Sequence, residues 1–466
     1  MRYIRFTNDG WYARYDDGLN EANVLRIADA VGAMWADERP GGHVYVGYDT
    51  RRDGASLAEA VGSVLGGWGL QARVSDIYCP MPALNLATRR DDKAVGALML
   101  TGDHRSADYL GVRVRNADSS AITPEVAERI EDLVPHEATK PSAPFTRQDF
   151  ITPFMHAAAD AVDRELIGGA GLRCVVDPMH GTARGYAAQL LRVMGVDAIE
   201  IHGEAREDFG GLHPEVTEPW VDDCEMAVAK THVDLGVCID GPSNRAVAVD
   251  ERGVLVPTPK LHALLIYHLA ANRGLTGRIV VPRSTSTLIR RQAERLGLPL
   301  TVVANGPTWA FEESRQGDVL TSGDGLGGLC IPAIDPERNA FVTVLLLLEL
   351  MAMEGKSLSQ LVACLDEKLG VMEYGQRNVR MDPGSFQVLR NLLPGINAEG
   401  LFPEDPVAVS HADGIRAQFA DDSWVLVRPS ETQPLVRIYA EGPTKDKRDA
   451  LLAGASELLK SVLVDL

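Results

Sequence analysis

A carboxylate, a histidine and an arginine lie close together after one short apolar run of the sequence. Residues 94–100 (AVGALML) have the composition of a buried strand, and Asp103, His104 and Arg113 follow in the run TGDHRSADYLGVRV. In doubly wound α/β proteins, ligand-binding residues gather at such carboxyl ends of strands. A carboxylate there could accept a phosphoryl group as an acyl phosphate, with the histidine as acid or base. The alternative is that Asp103 is a fixed negative charge.

Hard oxygen ligands are sparse in a second loop, residues 239–249 (IDGPSNRAVAV). Asp240 offers a carboxylate and Asn244 a neutral amide, while Pro242 between them has no side-chain donor. Divalent cations such as Mg²⁺ bind where several oxygen ligands converge. We therefore predict that this loop does not bind a divalent cation, and we expect no cofactor.

Groups suited to phosphate oxygens occur together near the C-terminus, in the run RPSETQPLVRIYAE. Arg428 and Arg437 supply guanidinium groups, and Ser430 and Thr432 supply hydroxyls. A guanidinium group matches the geometry of phosphate oxygens and binds them through charge-assisted hydrogen bonds. We predict a phosphate or anion site in this loop.

The elements that must position these residues follow an α/β pattern. Apolar strand-like runs alternate with amphipathic helical stretches, which is typical of parallel βαβ units. The last segment differs, with strand-like runs at 415–419, 424–427 and 436–439 before a helix at 445–462. Polar or Gly- and Pro-rich seams divide the chain into four predicted domains, residues 1–145, 146–254, 255–370 and 371–466.

The charge and the hydropathy of the sequence argue against two classes of binding partner, nucleic acids and membranes. Asp and Glu outnumber Lys and Arg by 65 to 46, giving a net charge of −19, which disfavours a nucleic-acid partner. The N-terminus lacks the apolar core of a signal peptide. The longest apolar run, residues 341–353, is too short to span a bilayer and predicts a buried helix. We expect a cytoplasmic protein with no membrane partner, and no feature of the sequence identifies a protein partner.

Several motifs in order along the chain carry a family resemblance. Residues 6–13 (FTNDGWYA), 47–51 (GYDTR), 101–114, 177–186 (DPMHGTARGY) and 428–441 resemble the signatures of the α-D-phosphohexomutases, the phosphoglucomutase and phosphomannomutase superfamily. The resemblance implies three similar mixed-sheet α/β domains and a C-terminal α+β domain around a central cleft. It also implies intramolecular phosphotransfer on a phosphorylated sugar, through a phosphoserine and Mg²⁺.

The same resemblance exposes departures at the reacting groups. Asp103 stands at the phosphoserine position, and Pro242 and Asn244 replace two metal-binding aspartates. In the sugar-recognition loop, Asp324 replaces a glutamate and Leu326 a serine. The resemblance assigns substrate binding to Asp324 and to the phosphate loop.

Three functional hypotheses follow from these departures. The first is a family member that has lost mutase catalysis and binds a phosphorylated sugar or another anionic metabolite. The second is an active enzyme with altered phosphotransfer or phosphatase chemistry on such a metabolite. The third is an interaction or regulatory protein whose cleft is vestigial.

Overall fold

A computed structural model describes residues 4–7, 10–137, 143–396, 402, 404–430 and 435–464. The chain forms two compact units. One contains Met1–Val256 and Leu326–Ser359, and the other contains Pro257–Gly325 and Gln360–Leu466. None of the helices in the described ranges combines the length and apolar composition that crossing a bilayer requires.

The first sheet has six strands in the order β1-β5-β4-β2-β3-β6. β2 pairs in parallel with β3 and β4, and β3 with β6, whereas β5 is antiparallel to β1 and β4. The strands are β1 (Gly10–Arg14), β2 (His43–Tyr48), β3 (Gln71–Ser75), β4 (Ala94–Leu100), β5 (Tyr109–Asn116) and β6 (Thr146–Gln148). The helices are α1 (Glu21–Glu38), α2 (Gly54–Gly67), α3 (Met81–Arg89) and α4 (Pro124–Leu133).

Burial explains the apolar composition of the central strands of this sheet. β4 is apolar at every position because it is covered on both faces, as expected for a strand paired inside an α/β domain. The helix boundaries follow from capping residues: Asn20 accepts a hydrogen bond from the backbone N–H of Asn23 at the start of α1. The predicted strand at 94–100 is confirmed.

The second sheet lies in the same unit and has the order β10-β9-β7-β8. β9 and β8 are parallel to β7, and β10 is antiparallel to β9. Its elements are α5 (Ile151–Asp160), α6 (Arg164–Gly169), β7 (Arg173–Asp177), α7 (Tyr186–Val193), β8 (Asp197–Glu200), a 3₁₀ turn (Phe209–Gly211), α8 (Asp222–Thr231), β9 (Leu235–Ile239) and β10 (Ala246–Asp250). A short strand (Leu329–Cys330) and a long helix (Ala340–Glu354), numbered β14 and α12 by their places in the chain, complete this unit.

The long apolar run near residue 341 forms α12, so the predicted buried helix is confirmed. Its first twelve residues, Ala340 to Met351, are buried, which explains why almost no polar side chain interrupts it. The exceptions are Thr343 and Glu349, and Glu349 Oε1 accepts a hydrogen bond of 2.7 Å from the backbone N–H of Asp163. That bond satisfies a buried carboxylate that would otherwise destabilise the helix.

The second unit contains the third and fourth sheets. In the third sheet β11 is parallel to both β12 and β13. Its elements are α9 (Thr258–Tyr267), a π-helical extension (His268–Asn272), β11 (Arg278–Pro282), α10 (Thr287–Leu296), β12 (Leu300–Val303), α11 (Pro307–Ser314) and β13 (Val319–Gly323), with most of α13 (Leu358–Leu369).

The C-terminal sheet is antiparallel throughout and has the order β15-β19-β18-β17-β16. Its elements are β15 (Glu373–Arg380), α14 (Pro383–Leu392), a 3₁₀ turn (Leu393–Gly395), β16 (Ala408–Ser410), β17 (Ile415–Gln418), β18 (Trp424–Pro429), β19 (Leu435–Gly442) and α15 (Lys445–Val464). The predicted α+β segment is therefore confirmed.

Three mixed α/β domains and a C-terminal antiparallel-sheet domain together confirm the predicted four-domain architecture. The numerical boundaries 1–145, 146–254, 255–370 and 371–466 stay predictions.

Candidate active site

A buried arginine fixes the loop that carries Asp103. The Arg51 side chain is fully buried and pairs with Asp49, with 3.1 Å between Nε and Oδ2. Its two terminal nitrogens donate to four backbone carbonyl oxygens in the loop, those of Asp103, Arg105, Ser106 and Tyr109. The loop shape is therefore set through its main chain.

Asp49 holds the start of the same loop. Its Oδ2 accepts hydrogen bonds from Thr101 Oγ1 at 2.6 Å and from the backbone N–H of Gly102 at 3.2 Å. A Cβ added to Gly102 would lie 2.4 Å from Cζ of Arg51, so the guanidinium group occupies the space that glycine leaves. This close approach, and not a special backbone angle, explains the glycine.

The Asp103 carboxylate lies among positive groups. Its Oδ2 is 3.6 Å from His104 Nδ1 and 3.8 Å from Arg113 Nη1, and its side chain is 17% exposed. Burial alone would raise the pKa of Asp103, but the charges of Arg113, His104 and Arg338 hold it well below its usual range. Asp103 is therefore an ionised carboxylate in a cationic pocket. Its backbone φ of 56° is in the left-handed region, which aspartate tolerates better than most residues.

A segment that the sequence analysis did not single out, residues 335–339, contributes charges to this pocket. Arg338 is buried and acts on the pKa of both Asp103 and Glu337. Glu337 Oε2 lies 3.5 Å from Nη1 of Arg115. Burial nevertheless raises the pKa of Glu337 to about 7, against the opposing charges of Arg115, Arg338 and Arg113. No local motif marks this segment, because its role arises only when it folds against β5.

The second predicted loop, which carries Asp240 and Asn244, lies beside the first. A Cβ added to Gly241 would be 3.4 Å from the backbone oxygen of Asp103. Asp240 Oδ1 accepts hydrogen bonds from the backbone N–H groups of Asn244 at 2.7 Å and Arg245 at 3.0 Å. Within the described part of the chain, Asp240 Oδ2 and Asn244 Nδ2 are buried without a hydrogen-bond partner.

The position of Asp240 affects its ionisation. Burial raises the pKa of Asp240 to about 7, and the negative charge of Asp103 acts in the same direction, while Arg245 opposes both. The first unit thus brings Asp103, His104, Arg113 and Asp240 into one neighbourhood. It adds Arg338, which is far from them in sequence.

The predicted phosphate loop belongs to the second unit. Arg428 lies near the carboxyl end of β18, and its Nε donates to Asp413 Oδ1 at 3.2 Å. Asp413 Oδ2 accepts from both the backbone N–H and Nδ2 of Asn305, at 2.8 and 2.5 Å. The sequence analysis missed Asp413, which holds the Arg428 guanidinium in place.

The structure describes two of the three other predicted members of this loop. The backbone N–H of Ser430 donates to the carbonyl oxygen of Leu435 at 2.8 Å, which closes the loop between β18 and β19. Arg437 is the cross-strand partner of Arg428. Thr432 lies outside the described residues. Arg428, Ser430 and Arg437 therefore share one hairpin.

Asp324 follows β13 in the same unit, and its charge acts on two titratable groups, the buried His262 and the partly buried Tyr374. Its negative charge acts on His262, although burial dominates and lowers the pKa of His262 to about 4. Burial also raises the pKa of Tyr374 well above its usual value, and Asp324 adds to that shift. Among the described residues, the Tyr374 hydroxyl has no hydrogen-bond partner.

Comparisons with known proteins agree with this arrangement. Models of the phosphoglucomutase/phosphomannomutase family match the chain at α/β/α domain I (residues 4–140), domain II (152–253), domain III (259–368) and the C-terminal domain (378–456). The matches cover most of the sequence. The chain belongs to the phosphoglucomutase/phosphomannomutase family.

Relatives within this family align over nearly their whole length. A phosphoglucomutase/phosphomannomutase of Thermococcus kodakarensis is 27% identical over 94% of this chain and 95% of its own. A phosphoglucosamine mutase of Thermoanaerobacter sp. is 25% identical over 97% of both chains. A solved structure from Thermus thermophilus, provisionally named a phosphomannomutase, superposes with a TM-score of 0.86, at 30% identity, over 98% of this chain and 99% of its own.

Membership of the phosphoglucomutase/phosphomannomutase family confirms the resemblance drawn from the motifs. The roles of Asp103, His104 and Arg113, of the two metal-loop residues, and of Asp324, Arg428, Ser430, Thr432 and Arg437 stay predictions.

Proposed function

We propose that this member of the phosphoglucomutase/phosphomannomutase family binds a phosphorylated sugar without performing the phosphoserine-based mutase reaction. The observation that carries the proposal is the environment of Asp103. A mutase needs a hydroxyl that accepts and returns a phosphoryl group. Here the equivalent position is an ionised carboxylate that is neutralised by Arg113, His104 and Arg338. The negative charge that a phosphoserine would bring is thus present permanently.

The proposal is also supported by the oxygen ligands available for Mg²⁺, the ion that the family resemblance implies. Asp240 has one carboxylate oxygen engaged by two backbone N–H groups, which leaves a single oxygen for a cation. Asn244 adds at most one amide oxygen, and Pro242 adds none. Arg245 already supplies positive charge near Asp240. Mg²⁺ requires near-octahedral oxygen coordination, so we infer that these residues do not fit the ion.

Ligand binding rests on the Arg428 hairpin. Arg428 is buried and oriented by Asp413, which is itself held by Asn305. A guanidinium fixed in this way is pre-organised, so less conformational entropy is lost when it binds an anion. Relatives carry mutase names, and their substrates are phosphorylated sugars. We infer the same class of ligand here.

Two measurements on the same protein preparation test the proposal. The first is an assay with glucose 1-phosphate or mannose 1-phosphate, Mg²⁺ and a hexose bisphosphate activator, in which we expect no isomerisation. The second is calorimetric titration with the same sugar phosphates. We expect binding that Arg428→Gln weakens at least about tenfold, the effect of losing a charge-assisted contact. Lys230→Gln removes an exposed charge elsewhere and should have no effect.

Other outcomes identify the remaining hypotheses. Turnover that disappears in Asp103→Ala, with a hydroxylamine-sensitive phosphoenzyme, would contradict the proposal and support altered phosphotransfer. Absence of binding by every phosphosugar tested would contradict it in favour of a protein with a vestigial cleft.

A further inference from the structure

A pocket of about 560 Å³, lined by both charged and apolar side chains, opens on the first sheet, away from the Asp103 loop. It is bordered by the amino-terminal part of β2, by β3, by the end of α3 and by the segment that leads into α5. His43, the first residue of β2, lines the pocket, whereas Asp49 follows the last residue of that strand. Six residues of extended strand span roughly 20 Å. The pocket is therefore separate from the nucleophile position. Its volume is in the usual range for small-molecule sites.

At the base of the pocket, the Asp91 carboxylate accepts hydrogen bonds from neighbouring protein groups. Asp91 Oδ2 lies 2.5 Å from His43 Nδ1 and accepts from the Tyr45 hydroxyl at 2.6 Å. Its Oδ1 accepts from the backbone N–H of Lys93 at 2.9 Å. Burial would raise the pKa of Asp91, but the bonds from Tyr45 and His43 lower it to about 2. The Asp91 carboxylate is thus satisfied by the protein and fixes the floor.

The three positive groups on the walls differ in their partners. Arg73 donates through Nη1 to Gln148 Oε1 at 3.1 Å, and its Nη2 lies 3.0 Å from His43 Nδ1 and 4.0 Å from Asp91 Oδ2. In the ranges that the structure describes, neither the guanidinium group of Arg90 nor the ammonium group of Lys93 has a hydrogen-bond or ion-pair partner. Arg73, Arg90 and Lys93 share the lining of the pocket with three aspartates, Asp91, Asp92 and Asp149. An anion would pair with Arg90 and Lys93, the two cations without a partner in the protein.

Hydrogen-bond acceptors and donors also line this pocket. The Asp92 carboxylate and the Gln148 amide face the same space as the three cations. Asp149 is less available, because its Oδ1 caps the backbone N–H groups of Ile151 and Thr152. Acidic and amide groups next to cations match a ligand that carries an anionic group and several hydroxyls. A purely inorganic anion would leave the Asp92 charge opposed to it.

We propose that this pocket is a second ligand site, which binds a small phosphate monoester of a polyol or sugar. Arg73, Arg90 and Lys93 bind the phosphate, and Asp92 and Gln148 accept or donate hydrogen bonds to the hydroxyls. The site is independent of the function proposed for the Arg428 hairpin, because the two share no residue.

Calorimetric titration with glucose 6-phosphate tests this site in the full-length chain. The starting variant is Arg428→Gln, in which the first proposed site should bind at least about tenfold more weakly and can be separated from the second site. We expect it to retain one binding event. Adding Arg90→Gln and Lys93→Gln should weaken that event at least about tenfold, because two charge-assisted contacts are lost. Both side chains are exposed, so the variant should keep the thermal midpoint of its parent.

A charge-matched control separates a built site from general electrostatics. Lys230→Gln with Lys445→Gln removes the same charge from exposed positions outside the pocket. Equal weakening in the two double variants would overturn the proposal, as would absence of any binding in the Arg428→Gln parent. A crystal soaked with glucose 6-phosphate gives a direct readout. Electron density for its phosphate beside Arg73 and Arg90 supports the site, and the absence of that density at a concentration that saturates calorimetric binding contradicts it.

Discussion

Arg51 Nη2 donates a hydrogen bond of 2.9 Å to the backbone carbonyl oxygen of Asp103. Asp103 is thus positioned through its main chain by a buried guanidinium group. Because that contact does not involve the side chain at position 103, the shape of the loop does not depend on which side chain stands there.

Removal of the Arg51 side chain should destabilise the first unit strongly. We expect Arg51→Ala to lower the free energy of unfolding by about 3–5 kcal/mol, because Asp49 would be left as a buried charge without its partner. Urea denaturation measures the loss. Arg52→Ala is the matched control, since Arg52 is exposed and its nearest ion-pair contact, to Asp53, is 3.6 Å long. A similar loss in both variants would contradict the role given to Arg51.

The lack of space for a side chain at Gly102 should make substitutions there destabilising. We expect Gly102→Ala to cost about 1–3 kcal/mol, because the new methyl group would meet the Arg51 guanidinium at 2.4 Å in a packed site. Gly169→Ala is the control, since nothing lies within 4 Å of a Cβ there. Equal unfolding free energies for the two variants would mean that the Arg51 side chain can shift to make room for the methyl group, and would contradict this prediction.

Glu337 should make stability depend on pH. Burial raises the pKa of Glu337 to about 7, so the folded protein holds this proton more tightly than the unfolded chain. The resulting stabilisation is fully present below the ordinary pKa of a glutamate and is lost as the pH rises through about 7. Asp240 acts in the same direction.

The test compares Glu337→Gln with the unaltered protein by urea denaturation between about pH 5 and 8. The amide cannot ionise, so we expect the variant to lose part of the pH dependence, at most about 3 kcal/mol. The charges that face Glu337 are those of Arg113, Arg115, Arg338 and Asp335, and all four remain in the variant. Glu128→Gln, in an exposed part of α4, should keep the original slope. Identical slopes for all three proteins would refute the role of Glu337.

Magnesium should leave the protein unchanged. A ligand present at 100 times its dissociation constant stabilises the folded state by about 2.7 kcal/mol. We expect millimolar MgCl₂ to produce no such shift in the thermal midpoint, because Asp240 and Asn244 alone supply too few oxygens. The double variant Pro242→Asp and Asn244→Asp, which introduces two carboxylates, should show a magnesium-dependent rise in the thermal midpoint. A magnesium-dependent rise in the unaltered protein would contradict the inferred loss of the ion.

Much of the architecture follows from local sequence. The apolar run at 94–100 forms β4, and the run at 341–353 lies within α12, because strands and helices buried on all sides need continuous apolar surface. Ordered motifs such as GYDTR and DPMHGTARGY identified the family, and the four-domain fold came with it. The motif around residues 101–114 also predicted that Asp103 stands where the family has a serine, because a motif specifies the residue expected at each position.

The tertiary structure alone decided the surroundings of those positions. Arg338 and Glu337 reach the Asp103 neighbourhood from a segment far along the chain, and no periodicity or motif could have placed them there. The same is true of Asp413, which orients Arg428 across the C-terminal sheet. A carboxylate's pKa depends on burial and on charges brought near by folding, so the sequence determined which groups are present and the fold determined their ionisation.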